Sequence, residues 1–251
     1  MFEVAADAYD RFMGVYSAQL APQLADFAGV RSGQRVIDVG CGPGTLTAEL
    51  VARLGAENVV AADPSDAFVA AARQRYPGVD VRSAPAEALP FADGSFDAAL
   101  AQLVVHFMTD PVAGLREMGR VTREGGTVAA NVWDLAGGRA PIDPFWRAAK
   151  QLRDDVEDES GRAGARAGQL ADLFRSAGLR HVEEGELTAS VRYERFEDWW
   201  EPYMHGVGPA GAFVQKLDEE GRAELRERAR RLLPEPPFTV DSVAWAARAR
   251  A

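Results

Sequence analysis

The sequence predicts an α/β fold, a doubly wound and mostly parallel sheet. Two observations predict it. Five short segments rich in apolar residues alternate with helical patterns between residues 35 and 133, and strands alternating with helices build a parallel sheet covered on both faces. The first of these segments also runs straight into a glycine loop and then a helix, the unit with which such sheets begin.

That unit is Arg35 to Leu54. Val36, Ile37 and Val39 are a β-branched run that reads as a buried parallel strand. Gly40, Cys41, Gly42, Pro43 and Gly44 form a turn that neither helix nor strand absorbs. Leu46, Leu50 and Leu54 then make an apolar stripe at helical spacing.

Upstream, residues 3–30 read as one or two amphipathic helices, with Tyr9, Phe12, Met13, Tyr16, Leu20, Leu24 and Phe27 in helical register and a break near Pro22. This segment packs outside the sheet, either over a ligand cleft or simply over the sheet edge. Downstream, strand 58–62 precedes Asp63-Pro64 and helix 65–76, and strand 79–83 leads through a proline- and glycine-bearing loop to strand 96–103. Asp110 and Pro111 are an N-cap and first-turn proline for helix 111–122. Gly125-Gly126 close that connection, and Thr127 to Trp133 form the fifth strand.

The pattern then loosens. Residues 135–168 hold a Gly137-Gly138 pair, a Pro141–Pro144 turn, an acidic patch from Asp154 to Glu159, and a glycine- and alanine-rich run 160–168 that reads as mobile. Gln169 to Ala177 is a short helix stopped by Gly178, residues 180–193 alternate as a strand, and 196–233 is helical again. Phe238, Val240, Val243 and Trp245 suggest a last strand with an irregularity near Asp241-Ser242.

Composition narrows the function. The 251 residues suffice for one α/β domain with an insertion, and 47% hydrophobic with 26% charged residues is ordinary for a globular protein. No apolar run approaches a membrane span. The start, Met1 to Asp7, carries acids and no basic stretch, unlike a secretory signal. A single cysteine, Cys41, excludes an internal disulfide and fits a reducing cytoplasm. A net charge of −10 gains nothing from phosphate contacts and disfavours a nucleic-acid substrate. No His, Cys and Asp cluster has metal-ligand spacing, and no Ser-His-Asp arrangement is supported.

Asp38 separates this glycine loop from others. With Gly40, Gly42 and Gly44 it reads D-x-G-x-G-x-G, and the nicotinamide fingerprint fails because its third glycine would stand at Thr45. A carboxylate there opposes a pyrophosphate and suits a cationic ligand. The stretch resembles motif I of the class I S-adenosylmethionine (SAM) dependent methyltransferases. Val36–Gly44, Ala61-Ala-Asp-Pro-Ser65, Ala86-Glu-Ala-Leu-Pro-Phe91, Ser95-Phe-Asp97 and Glu117–Val121 followed by Gly125-Gly126 together resemble the small-molecule, ubiquinone- and menaquinone-biosynthesis-like branch, the methyltransferase type 11 group, over most of residues 5–135.

The resemblance implies a Rossmann-like sheet of seven strands with an antiparallel last strand, N-terminal helices and a helical insert before that strand. It implies one domain, with residues 1–32 as helical cover, 33–134 as cofactor-binding core and 135–251 holding the late strands and a helical lid, 196–233. SAM would be the cofactor and S-adenosylhomocysteine (SAH) its product. Asp38 and the Gly40, Cys41 and Gly42 backbone would hold the methionine part, Asp63 the ribose, and Pro64 with Ser65 the adenine. The Ala86 N–H would meet an adenine nitrogen and the Gln102 carbonyl the ammonium. Tyr9 and Met13 are the candidates from the N-terminal helices. Asp63 also reads as a turn residue before Pro64. The chain departs from the family pattern at Pro85, where an acid or amide commonly bonds the adenine amino group; either Glu87 takes over or recognition rests on backbone and packing.

Methyl transfer from a sulfonium needs a base only where the nucleophile keeps its proton. His106, a few residues past the fourth strand, and His205, in the late insert, are the candidates, and each also has a structural reading without a base role. The crowd of aromatics that includes Trp199, Trp200 and Tyr203 reads either as an apolar lid over a hydrophobic acceptor or as packing of an inserted helix. The sequence therefore points to a cytoplasmic enzyme, monomeric or homodimeric, methylating a small apolar or aromatic molecule. A SAM-binding accessory protein without catalysis is the alternative.

Overall fold

The computed structural model describes residues 7–251, so the first part of the expected N-terminal helix and the acidic start of the chain lie outside the described residues. Seven strands form one sheet: β1 (Val36–Val39), β2 (Val59–Asp63), β3 (Asp80–Ser83), β4 (Phe96–Gln102), β5 (Thr122–Trp133), β6 (Arg180–Tyr193) and β7 (Phe238–Arg250), in the spatial order β3-β2-β1-β4-β5-β7-β6. β7 runs antiparallel between β5 and β6, and the other pairings are parallel.

The helices are α1 (Val15–Ala28), α2 (Thr45–Leu54), α3 (Asp66–Arg75), α4 (Pro111–Val121), α5 (Asp143–Leu152), α6 (Gln169–Ser176), α7 (Phe196–Trp200), α8 (Gly208–Gln215) and α9 (Glu219–Leu232). All four residues of β1 are buried because helices cover both faces of the sheet. Successive residues therefore feed two separate cores. Val36 joins Leu20 and Leu24 of α1, Leu50 of α2 and Phe145 of α5, while Ile37 and Val39 join Leu115 and Met118 of α4 and Phe174 of α6. Local chemistry sets the helix starts: Asp110 accepts from the Ala113 N–H at 2.9 Å with Pro111 in the first turn, and Ser65 accepts from Phe68 N–H at 3.4 Å.

Five sequence-based expectations change. Pro22 does not break the N-terminal helix; it sits inside α1, where burial of Leu20, Ala21, Leu24 and Ala25 outweighs one missing bond. The irregularity lies earlier, in a π-helical turn at Asp10–Gly14. β5 begins at Thr122, before the glycine pair, because Thr122 pairs with Phe96 across a bulge. The Pro141–Pro144 turn opens a full helix, α5. The run 160–168 is packed, with Ala165 fully buried and its carbonyl accepting from Ala136 N–H at 3.1 Å. β7 is regular through Asp241-Ser242, and the register shift falls between Arg180 and Glu183 of β6.

Strand order reverses between β1 and β4, since β2 and β3 extend one way and β5 the other. The crevice of a parallel sheet opens beyond the carboxyl ends of its strands at that reversal.

Candidate active site

A cleft of about 390 Å³ occupies this crevice. From β1 and its loop come Asp38, Gly40, Cys41 and Gly42; from the end of β2 come Asp63, Pro64 and Ser65. Beyond β3 stand Ala86 and Glu87, β4 ends in Gln102, and the N-terminal helix adds Tyr9 and Ser17. Eleven of the twelve residues expected from the sequence to meet a cofactor line this one cleft, and the twelfth, Met13, lines a cavity next to it.

The amides that open the glycine loop are already committed inside the protein. The Gly40 and Cys41 amides both donate to the Ala62 carbonyl, at 2.7 and 3.0 Å, and the Gly42 amide donates to Asp63 Oδ2 at 2.9 Å. These donors are spent inside the protein, so the loop cannot cradle a phosphate as glycine loops do elsewhere. Gly40 is held at φ +72°, and a Cβ there would stand 2.5 Å from both methyls of Val104.

Asp38 is 1% exposed and accepts from Thr47 Oγ1 at 2.6 Å. Burial pushes its carboxyl up to about 7, against the lowering effect of that hydroxyl. Its Oδ1 has no partner among the described residues, nor do Gln102 Oε1 and Ser17 Oγ, though all three are buried. Gln102 reaches the N-terminal helix instead, its Nε2 donating to the Ser17 carbonyl at 3.1 Å.

Asp63 makes the turn contact of its second sequence reading and also fixes the glycine loop. Its Oδ1 accepts from Ser65 N–H at 2.8 Å, a turn contact, and its Oδ2 fixes the glycine loop. Each oxygen keeps a lone pair for the cleft. Burial raises this carboxyl too, against the two backbone N–H groups. Glu87 has a structural duty, for its Oε1 accepts from the Thr109 and Asp110 amides at 2.8 and 3.1 Å and holds the turn ahead of α4. Cys41 is buried, and burial pushes its thiol up, away from reactivity.

A second cavity of about 280 Å³ adjoins the cleft and shares Tyr9, Phe68, Leu103 and Phe107 with it. Its remaining wall is largely apolar, with Phe12, Met13, Trp133 and Ile142 among its members. Leu103 stands between the two spaces at φ +59°, a left-handed conformation that costs a leucine about 1–3 kcal/mol. Asn131 stabilises it, its side-chain and main-chain carbonyls accepting from Leu103 N–H at 3.1 and 3.0 Å.

His106 lines the second cavity, 7% exposed, with Nδ1 unpartnered. Burial and the nearby Arg162 hold it down to about 3, so the ring is neutral at ordinary pH. Glu159, which the sequence showed only as part of an acidic patch, lines the same cavity. His205 is exposed in the turn ahead of α8 and lines neither space. Trp199, Trp200 and Tyr203 also line neither. They are core residues, with Tyr203 stacked on Phe145 at 4.5 Å between ring centres and edge-on to Phe12 at 4.8 Å. Phe12 is itself a wall of the second cavity, so Tyr203 supports the pocket from behind. Among the described residues no group of three His, Cys, Asp or Glu side chains is placed to hold a metal, and no helix is long and apolar enough to cross a membrane.

Comparison with known proteins gives concordant findings. A family model described as a methyltransferase domain matches residues 37–130. A demethylmenaquinone methyltransferase of Beutenbergia cavernae is 38% identical over 130 residues, covering 50% of this chain and 53% of that protein, so the chain spans about half the length of that relative. A ubiquinone/menaquinone biosynthesis C-methyltransferase of an Enterobacter species is 30% identical over 190 residues, covering 66% of this chain and 74% of the relative. Among solved structures, a Haemonchus contortus phosphoethanolamine N-methyltransferase in complex with phosphomonomethylethanolamine and SAH superposes with a TM-score of 0.61 at 16% identity, over 98% of this chain and 56% of the other.

Proposed function

The chain belongs to the class I SAM-dependent methyltransferases, whose cofactor is SAM, and we propose that it transfers the SAM methyl group to a small, apolar or aromatic molecule by in-line displacement. When bound, SAM supplies a methyl on a positively charged sulfur, already activated toward a nucleophile in line with the C–S bond. One observation carries the reading. Three buried oxygens, Asp38 Oδ1, Gln102 Oε1 and Ser17 Oγ, have no hydrogen-bond partner among the described residues and belong to residues lining a single cleft. Buried polar atoms are rarely left unpaired, and an ammonium with its three N–H donors satisfies such a set.

In this reading Asp38 faces the ammonium end and Asp63 accepts from the ribose hydroxyls. Pro64 and Ser65 flank the adenine. The Ala86 amide, undonated among the described residues, is free for an adenine nitrogen. With Glu87 Oε1 committed to the Thr109 turn, adenine recognition rests mainly on backbone and packing. The protein's own catalytic contribution is positioning and exclusion of water. The acceptor occupies the second cavity, whose apolar walls abut the cleft at Leu103 and Phe107. A net charge of −10 supports a small acceptor over a nucleic acid.

The test is twofold. SAM and SAH should raise the melting temperature while NAD and NADP leave it unchanged; stabilisation by NAD alone overturns the assignment. Radiolabel from methyl-labelled SAM should appear in a panel of small aromatic phenols and amines. Binding of SAH with no transfer to any of them would favour the accessory protein instead.

A further inference from the structure

Resting on the methyltransferase reading above, we infer that the second cavity takes a compact aromatic ring bearing an uncharged hydroxyl, and that Glu159 recognises that hydroxyl. The cavity is largely apolar, and the ionisable side chains that line it are Tyr9, His106 and Glu159, the last two joined through Arg162. Glu159 is 5% exposed. A carboxylate is rarely buried against an apolar space without a task. Among the described residues its carboxylate has two partners, both long: Trp146 Nε1 donates to Oε2 at 3.2 Å, and Arg162 Nε lies 3.4 Å from Oε1. A carboxylate has about four lone-pair sites, so acceptor capacity remains. His106 adds a neutral ring whose Nδ1 is buried and unpartnered.

Arg162 decides the charge of the ligand. Its guanidinium pairs with Glu159, bonds the His106 carbonyl at 3.4 Å and covers the Phe107 ring at 5.1 Å. One cation already answers that carboxylate. A ligand ammonium would bring a second cation to a carboxylate that Arg162 already balances from outside the cavity lining, whereas a hydroxyl donates to it without adding charge. The volume decides the size. About 280 Å³ lies at the lower edge of ordinary ligand pockets, roughly 300–1,000 Å³, which suits a ring system and not a long chain. Phe12, Phe68, Phe107 and Trp133 around it favour a flat aromatic face.

The experiment titrates the SAH-saturated protein with three probes of one shape: 2-naphthol, 2-methoxynaphthalene and 2-naphthylmethylamine, followed calorimetrically. 2-Naphthol should bind about tenfold or more tighter than the ether, the scale of one hydrogen bond to a charged group, and tighter than the amine. Glu159→Leu should erase that preference while SAH affinity stays within about twofold. Should that variant not fold, Ile142→Phe, which fills the cavity from its apolar wall, should weaken all three probes and spare SAH. Equal binding of naphthol and ether by the unmodified protein, preference for the amine, or a preference that survives Glu159→Leu overturns the inference alone. A protein that binds no SAH overturns the methyltransferase reading, and this one with it.

Discussion

Asp38 is legible in the sequence as a carboxylate beside a glycine loop; what the structure adds is its burial, and burial makes its chemistry conditional on pH. The carboxyl is raised to about 7 in the ligand-free fold, and only its ionised form pairs with an ammonium. Affinity for SAH should therefore rise from pH 6 to pH 8 and flatten above, approaching tenfold per unit well below the pKa. Folding stability moves the other way. A carboxyl raised in the fold contributes fully below its unfolded value near 4, and that contribution is lost as pH rises through about 7. Asp38→Asn should flatten the SAH profile and lower affinity at pH 8; a profile unchanged by that substitution would mean another group titrates. Asp63→Ala should cost about 1–3 kcal/mol of SAH binding by leaving ribose hydroxyls unmet. It should also loosen the loop through Gly42, measurable as a lower melting temperature without ligand. Gly40→Ala should be worse than either, because φ +72° and a 2.5 Å approach to Val104 leave no room for a methyl. Loss of SAH binding with a falling melting temperature would be the outcome, and near-normal binding would show that the loop can yield. Glu159 was illegible because an acidic run normally marks a solvated face. It is buried where the chain after α5 folds back against that helix, whose Trp146 indole donates to it.

At the scale of elements, periodicity exposed the regular half of the chain and hid the irregular half. β1 to β5 with their helices follow from short apolar runs and stripes of period 3.6. α5 was missed because Pro141 and Pro144 mark a turn at its start. Two of its four buried positions are alanines, which carry little hydrophobic signal. Its absence from the sequence reading is also why the aromatics of α7 and the turn after it seemed available for a lid. With α5 present, Phe145 stacks on Tyr203 and lies 6.4 Å from Trp200 between ring centres, so those residues seal α5 and α7 onto the sheet. Trp200→Ala and Tyr203→Ala should each cost about 3–5 kcal/mol of stability, the usual loss for a buried large aromatic, as read by urea denaturation. Loss of acceptor turnover with stability unchanged would restore the lid.

At the scale of the whole molecule, the sheet is the covered frame and the N-terminal helix is the wall common to both ligand spaces. The central strands are covered on both faces, and their opening would require global unfolding. The N-terminal helix faces the cleft with Tyr9 and Ser17 and the second cavity with Tyr9, Phe12 and Met13. It thus closes both spaces at once, and its Gln19 and Gln23 donate to the Ser190 and Thr188 carbonyls of the edge strand β6, so it covers both the cleft and the sheet edge. The wall is also its least regular stretch, since the π-helical turn at Asp10–Gly14 carries Phe12 and Met13. Such turns recur at functional sites. The contact between Asp10 and Arg75 at 2.7 Å is partly exposed and screened, so it restrains the turn only weakly. Entry past this segment is the route expected of ligands. Hydrogen exchange should therefore slow on adding SAH at the amides of residues 9–17, and slow further with an aromatic acceptor present, while β1, β4 and β5 remain protected throughout. Exchange at 9–17 that is already slow without ligand, or indifferent to it, would make the segment a fixed cover, and entry would have to run through the turn at Leu103–Thr109.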